Sequence, residues 1–249
     1  MILFFYNLVL KNNNHKIQLE FDRSSTIKPY DQDGIDNYWK FSLFVDDIQK
    51  IYTELLKLNH PVGAPFQFGN IGYLSHTTDT EHHQIEFIQK TFKQNEILNT
   101  DEQIALGLLT IRTKDPVKII KFYEDILDLK LFVRMYVNRG DGFTLYFLGN
   151  KNLQAPNTDI DVIENREWMY QQSHLFIEIQ YWNSEHDNNF LLNSTLENGL
   201  QIINFSGDLN ILRRRLIESG VVFQERSNKI IFQTIDNHTI KVKTAHNNV

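Results

Sequence analysis

Three stretches of the chain repeat one hydrophobic pattern. Each opens with an apolar run of strand length, turns at an aspartate, and continues with apolar residues three and four apart. They are WKFSLFVDDIQKIYTELLKL (39–58), LLTIRTKDPVKIIKFYEDIL (108–127) and LQIINFSGDLNILRRRLIESG (200–220). Ile48, Ile51, Tyr52, Leu55 and Leu56 make one helical stripe, and Ile119, Phe122, Tyr123, Ile126 and Leu127 a second. Leu209, Leu212, Leu216 and Ile217 make a weaker third. An aspartate suits the start of a helix because its carboxylate accepts from unpaired backbone N–H groups, and Pro116 suits a first turn.

Behind each helix lie runs rich in β-branched and aromatic residues. FGNIGYLSHTTD and HHQIEFIQ follow the first, FTLYFLG and HLFIEIQYW the second, KIIFQTID and HTIKVKT the third. The period is therefore one strand, one helix and three further strands. Near the start, FFYNLVLKNNNHKIQLEF reads as the last two strands of such a unit, joined by an Asn-rich turn. The chain then holds half a unit (1–23) and three full ones (36–92, 104–182, 199–245). A polar connector, KQNEILNTDEQ (93–103), separates the first two units from the last two.

Composition narrows the function classes. Among 249 residues, 41% are hydrophobic and 22% charged, as in ordinary soluble proteins, and 18 Phe with 10 Tyr supply a β-rich core. A net charge of -6 argues against a nucleic-acid or anionic-membrane surface. The one basic run, Arg213-Arg214-Arg215, lies on a helix as a solvated face. No cysteine is present, which excludes disulfides, thiolate metal sites and cysteine nucleophiles and fits a cytoplasmic location. The opening MILFFYNLVLKNNN has no basic leader or cleavage site and reads as an edge strand, and no stretch reaches membrane-span length. A half unit leaves that strand's edge open. Either the start lies further upstream or a second copy covers the edge as a homodimer.

LLTIRTKDPVKIIKFYEDILDLKLF, followed by FTLYFLGN, resembles the opening of glyoxalase I, and NREWMYQQSHLFIEIQYW resembles that family's metal-bearing strand and the loop before it. WKFSLFVDDIQKIYTELL with IGYLSHTTDTEHHQIEFIQ is similar to a C-terminal unit of the wider vicinal-oxygen-chelate superfamily, which includes ring-cleaving dioxygenases and bleomycin-resistance proteins. The resemblance covers most of 36–182. It implies an α+β fold of tandem βαβββ units paired into two curled β-sheet cups, the first unit truncated. The expected domains are 1–95 and 104–249, with a linker at 96–103.

The resemblance also implies ligand slots, one on the first and one on the last strand of each unit. In the N-terminal cup they fall on Glu20, Lys40 and Glu86. In the C-terminal cup they fall on Leu108, Glu178, Gln201 and Lys241. The family places His, Gln or Glu at these positions. Lys40, Lys241 and Leu108 offer a metal no lone pair at neutral pH, so the sites are expected to be degenerate. Glu86 and Glu178 are the candidate catalytic groups, against a reading as solvated strand-end glutamates. Lys40 beside Glu20 and Glu86 is expected to form an ion pair in place of a metal.

His82-His83 with Glu86 superficially resembles a metal motif, but on a strand only His82 would share the face of Glu86, and a turn pair is the simpler reading. His174 with Glu178 and Gln201 forms a non-standard metal set. Arg166, Glu167 and Trp168 fall on the loop before the Glu178 strand, where loops often close over a ligand and a Trp can equally anchor. Two functions follow. One is a protein that binds a small oxygenated organic molecule without a tightly held metal. The alternative is a lyase, isomerase or dioxygenase using Zn, Fe or Mn.

Overall fold

The computed structural model describes residues 7–12, 15–20, 37–93, 96–97, 104–183, 200 and 202–244, the first two segments as backbone only. The strands are β1 (Asn7–Asn12), β2 (His15–Glu20), β3 (Tyr38–Val45), β4 (Phe66–Phe68), β5 (Gly72–Thr78), β6 (Gln84–Gln89), β7 (Ala105–Arg112), β8 (Leu129–Val137) and β9 (Phe143–Asn150). They continue with β10 (Phe176–Trp182), β11 (Ile202–Gly207), β12 (Phe223–Arg226), β13 (Lys229–Gln233) and β14 (Thr239–Thr244). The helices are α1 (Ile48–Lys57), α2 (Pro116–Leu127), α3 (Ile163–Tyr170) and α4 (Leu209–Glu218). Among the described residues no helix is long and apolar enough to cross a membrane.

The aspartates do what their positions suggest. Asp47 accepts from the Lys50 N–H, Asp115 from Lys118, and Asp208 from both Asn210 and Ile211, so each repeat-opening helix is capped by its own turn. Asp128, in left-handed backbone at φ 62, ends α2. α3 has no side-chain cap.

Strands form a hairpin (β1-β2), an eight-stranded sheet in the order β4-β5-β6-β3-β7-β10-β9-β8, and a four-stranded sheet in the order β11-β14-β13-β12. The first strand of a repeat runs parallel to its last: β3 beside β6, β11 beside β14. The pairs β4–β5, β5–β6, β8–β9, β12–β13 and β13–β14 are antiparallel, with an irregularity between Leu131 and Val133 in β8. The architecture is α+β with mixed sheets, as the repeat pattern implies.

Two compact units are present. The first comprises 1–31, 40–110 and 153–178, and the second 32–39, 111–152 and 179–249. They interleave along the chain, whereas the resemblance implies a division at 96–103. In the first unit, Phe41, Leu43 and Val45 of β3 pack with Ile48 of α1, Tyr73, Phe87 and Leu106. In the second, α2 buries Ile119, Tyr123 and Ile126, α4 buries Leu212 and Leu216, and the rings of Phe122 and Phe232 lie 6.2 Å apart.

Candidate functional site

Side chains alternate across a strand. With Phe41, Leu43 and Val45 committed to the α1 core, β3 turns Lys40, Ser42 and Phe44 to its other face. On β6, Ile85 and Phe87 join that core, so Glu86 projects away from it. Register completes the cluster. Ser42 lies opposite Glu86 across the β3–β6 pair, and His76 lies opposite Glu86 across the β5–β6 pair.

Three polar groups from β3 and β5 thus meet at one carboxylate on β6. Lys40 Nζ donates to Glu86 Oε2, and Ser42 Oγ donates to the same oxygen at 2.7 Å. His76 Nε2 stands 3.1 Å from Oε1. Lys40, Ser42 and Glu86 are buried, while the His76 side chain is 39% exposed and stacks on Phe66 at 6.1 Å. Burial pushes the Glu86 carboxyl up, but the Lys40 ammonium and His76 outweigh it and hold the group well below the usual carboxylate range. Glu86 is an anion whose partners are already in place.

Glu178 sits differently. It is 1% exposed, and Thr110 Oγ1 donates to its Oε2 at 2.5 Å. Burial raises its pKa; the nearby Lys40 charge opposes the rise and the Glu86 charge adds to it. One ammonium therefore serves two carboxyls, and Glu86 holds the direct contact. Tyr170 of α3 donates its hydroxyl to the Ile71 carbonyl at 2.9 Å, within reach of the Glu86 and Glu178 charges.

Glu178 stands near Lys40 and Glu86, in the sheet order β6-β3-β7-β10, whereas the resemblance implies the other cup for it. The reason lies in the edges. A first strand gives one edge to its own last strand and leaves the other open, and β3 and β7 occupy each other's open edges. Leu108, on β7, is 2% exposed and brings no donor atom. Lys241 is half-buried on β14, opposite Asn204 and Ile231, with no ion pair among the described residues. Glu20 ends β2, its side chain outside the described residues, as is Gln201.

His174 precedes β10 in a bend and is half-buried. His82 adopts φ 69 in the β5–β6 turn, where Asp79 Oδ1 accepts from the Glu81 and His83 N–H groups, so the histidine pair is a turn feature. Arg166, Glu167 and Trp168 lie on α3 rather than on an open loop. Ser42, His76, Thr110 and Tyr170 are the site residues that sequence reasoning did not single out. Two had a signal. Ser42 is two residues from Lys40, and His76 and Glu86 are equidistant from Glu81 in a hairpin.

A metal does not fit these side chains. Glu86 Oε2 is engaged by two donors, Lys40 is itself a cation, Leu108 is hydrocarbon, and burial favours the neutral form of Glu178. Among the described residues no group of three His, Cys, Asp or Glu could hold an ion.

No family model matches the sequence. Over 138 residues, 53% of this chain, it is 30% identical to glyoxalase I of Saccharomyces cerevisiae and spans 40% of that protein's length. Its structure is similar to that of glyoxalase I from Zea mays. The TM-score is 0.54 at 16% identity, covering 84% of this chain and 67% of that one. The chain has the glyoxalase I fold and, over about half its length, a sequence similar to that of glyoxalase I. A point mutant of the maize protein gives the same likeness in fold, with a TM-score of 0.53 at 16% identity over 84% of this chain and 68% of that one. Within that fold, Lys40, Glu86, Leu108 and Glu178 lie on four neighbouring strands.

Proposed function

We propose that this chain is a member of the vicinal-oxygen-chelate superfamily that binds a small oxygenated organic molecule without a tightly held metal, the Lys40 ammonium standing in for the ion. The observation that supports it is the buried Lys40–Glu86 ion pair. An ammonium offers N–H donors to a ligand oxygen, as a metal offers a coordination site, and its counter-charge is already present. At roughly 4 Å and an effective dielectric of about 20, unit charges interact by about 4 kcal/mol, and a dication approaching Lys40 meets at least that repulsion. With no cysteine to oxidise, the same reading places the protein in the cytoplasm.

Calorimetric titration with zinc, iron(II) and manganese tests the reading. Wild-type protein is expected to give no stoichiometric heat, whereas Lys40→His, which restores a lone pair beside Glu86, gains affinity. Tight one-to-one binding by the wild-type site would overturn the proposal and favour the metal-dependent enzyme.

A further inference from the structure

α3 carries a guanidinium with little to hold. Arg166 is 8% exposed. Its Nη1 reaches the backbone oxygen and the Oδ1 of Asn70, both at 3.4 Å, which is long for a hydrogen bond. Its Nε is buried and has no hydrogen-bond partner. Among the described residues, neither Nη2 nor any other atom of Arg166 forms an ion pair.

Other arginines of the chain are better served. Arg213 forks onto Glu225, Arg215 pairs with Asp128, and Arg112 bonds Gln180 and the Tyr38 carbonyl while lying 5.9 Å over the Trp39 ring. Burial of a cation is costly unless it is paired and hydrogen-bonded, so a buried, unsatisfied Nε calls for a group not yet named. Its surroundings are fixed. Tyr170, one helical turn beyond Arg166, bonds the Ile71 carbonyl and pins α3 to the β4–β5 turn that also carries Asn70. Asn70 itself is exposed, so the Nη1 end of the guanidinium lies beneath a surface residue.

We propose that Arg166 binds the carboxylate of a small organic acid, with Nε–H and one Nη2–H forming two parallel hydrogen bonds. The donor pair explains the choice of anion. A guanidinium edge matches the two oxygens of a planar carboxylate. A phosphate dianion would want a second cation, and the charged side chain that acts on Arg166 is a carboxylate, Asp161. This site uses atoms outside the Lys40–Glu86 cluster and is tested apart from it.

The Arg166 Nε–Hε resonance of the full chain, recorded by proton–nitrogen correlation NMR, is the readout. Acetate, succinate and inorganic phosphate are added at matched chloride ionic strength. Acetate and succinate are expected to shift this resonance saturably, with phosphate weaker. By calorimetry, succinate affinity should fall by about tenfold or more in Arg166→Gln. Arg166→Lys, which keeps charge but not the paired donors, should lose much of it too, and serves alone if the Gln variant does not fold. No saturable shift, tighter binding of phosphate than of either carboxylate, or unchanged affinity in Arg166→Lys would each overturn the proposal.

Discussion

Each compact unit buries a polar cluster, and the two are built on opposite principles. In the first unit, Glu86 is charged and fully met by Lys40, Ser42 and His76. In the second, the turn from Thr234 to His238 buries Asp236 and His238, and burial outweighs the hydrogen bonds that Thr113 and the Lys114 backbone give Asp236. Asn37 Nδ2 donates to the Asp236 backbone oxygen at 2.9 Å, and His238 Nε2–H donates to the Asn37 carbonyl at 3.0 Å. Asp236 Oδ2 and the nearby Tyr123 hydroxyl have no hydrogen-bond partner. Burial pushes the Asp236 carboxyl up to about 6 and the His238 imidazole down to about 4. In the first cluster the counter-ion outweighs burial and favours the charged form; in the second burial prevails and shifts both groups toward their neutral forms.

The largest effect should come from breaking the charged cluster. Lys40→Met leaves Glu86 buried without its cation and should cost about 3–5 kcal/mol at neutral pH, read from urea unfolding. Lys40→Met combined with Glu86→Leu should recover most of that loss, because an apolar pair removes both desolvation penalties. If the double variant is no more stable than the single one, the two clusters do not differ as described.

Asp236→Asn comes next. The folded state prefers the neutral acid, so the stability Asp236 contributes is full below pH 3.8 and is lost as pH rises through about 6. At about 1.36 kcal/mol per pKa unit the loss is on the order of 3 kcal/mol, so the Asn variant should unfold at a higher temperature than wild type at pH 8 and lose that advantage at pH 4. Equal melting temperatures at pH 8 would show that Asp236 is comfortable as an anion.

His238 gives the smallest visible effect because Asp236 masks it. A buried neutral His contributes stability above pH 6.5 that is lost as pH falls through about 4. Asp236 gains stability over nearly the same interval, so this pair leaves wild type close to flat between pH 4 and 6. Asp236→Asn should uncover the acid-side loss, and adding His238→Gln should remove it again. Circular-dichroism melts at half-unit steps of pH would show it, and a slope that survives the second substitution belongs to another group.

The local rules were legible in the sequence, and the pairing of edges was not. Asp47, Asp115 and Asp208 announce their helices because a cap acts within three residues. Lys40, Glu86 and Leu108 could be placed by counting along strands. Which strand lies against the open edge of β3 depends on no such short-range signal, and unit order alone groups Glu178 with Gln201 and Lys241. α3 escaped notice for a local reason. Its residues, IENREWMY, bury Asn165, Arg166, Met169 and Tyr170, a polar and apolar mixture that no hydrophobic period describes, and Val162 gives it no side-chain cap.

The parallel pairing of β11 with β14 sets the direction in which such a module can be joined to others. Ile202 is level with Thr239 and Gly207 with Thr244, so the chain enters at one end of this strand pair and leaves at the other. Entry and exit are then separated by about 20 Å, six residues at roughly 3.3 Å each. Modules of this kind string end to end without a return loop, so tandem duplication is the route of growth that asks least of the connections. A circular permutant of the β11–β14 module, by contrast, would need a linker able to run the length of the sheet.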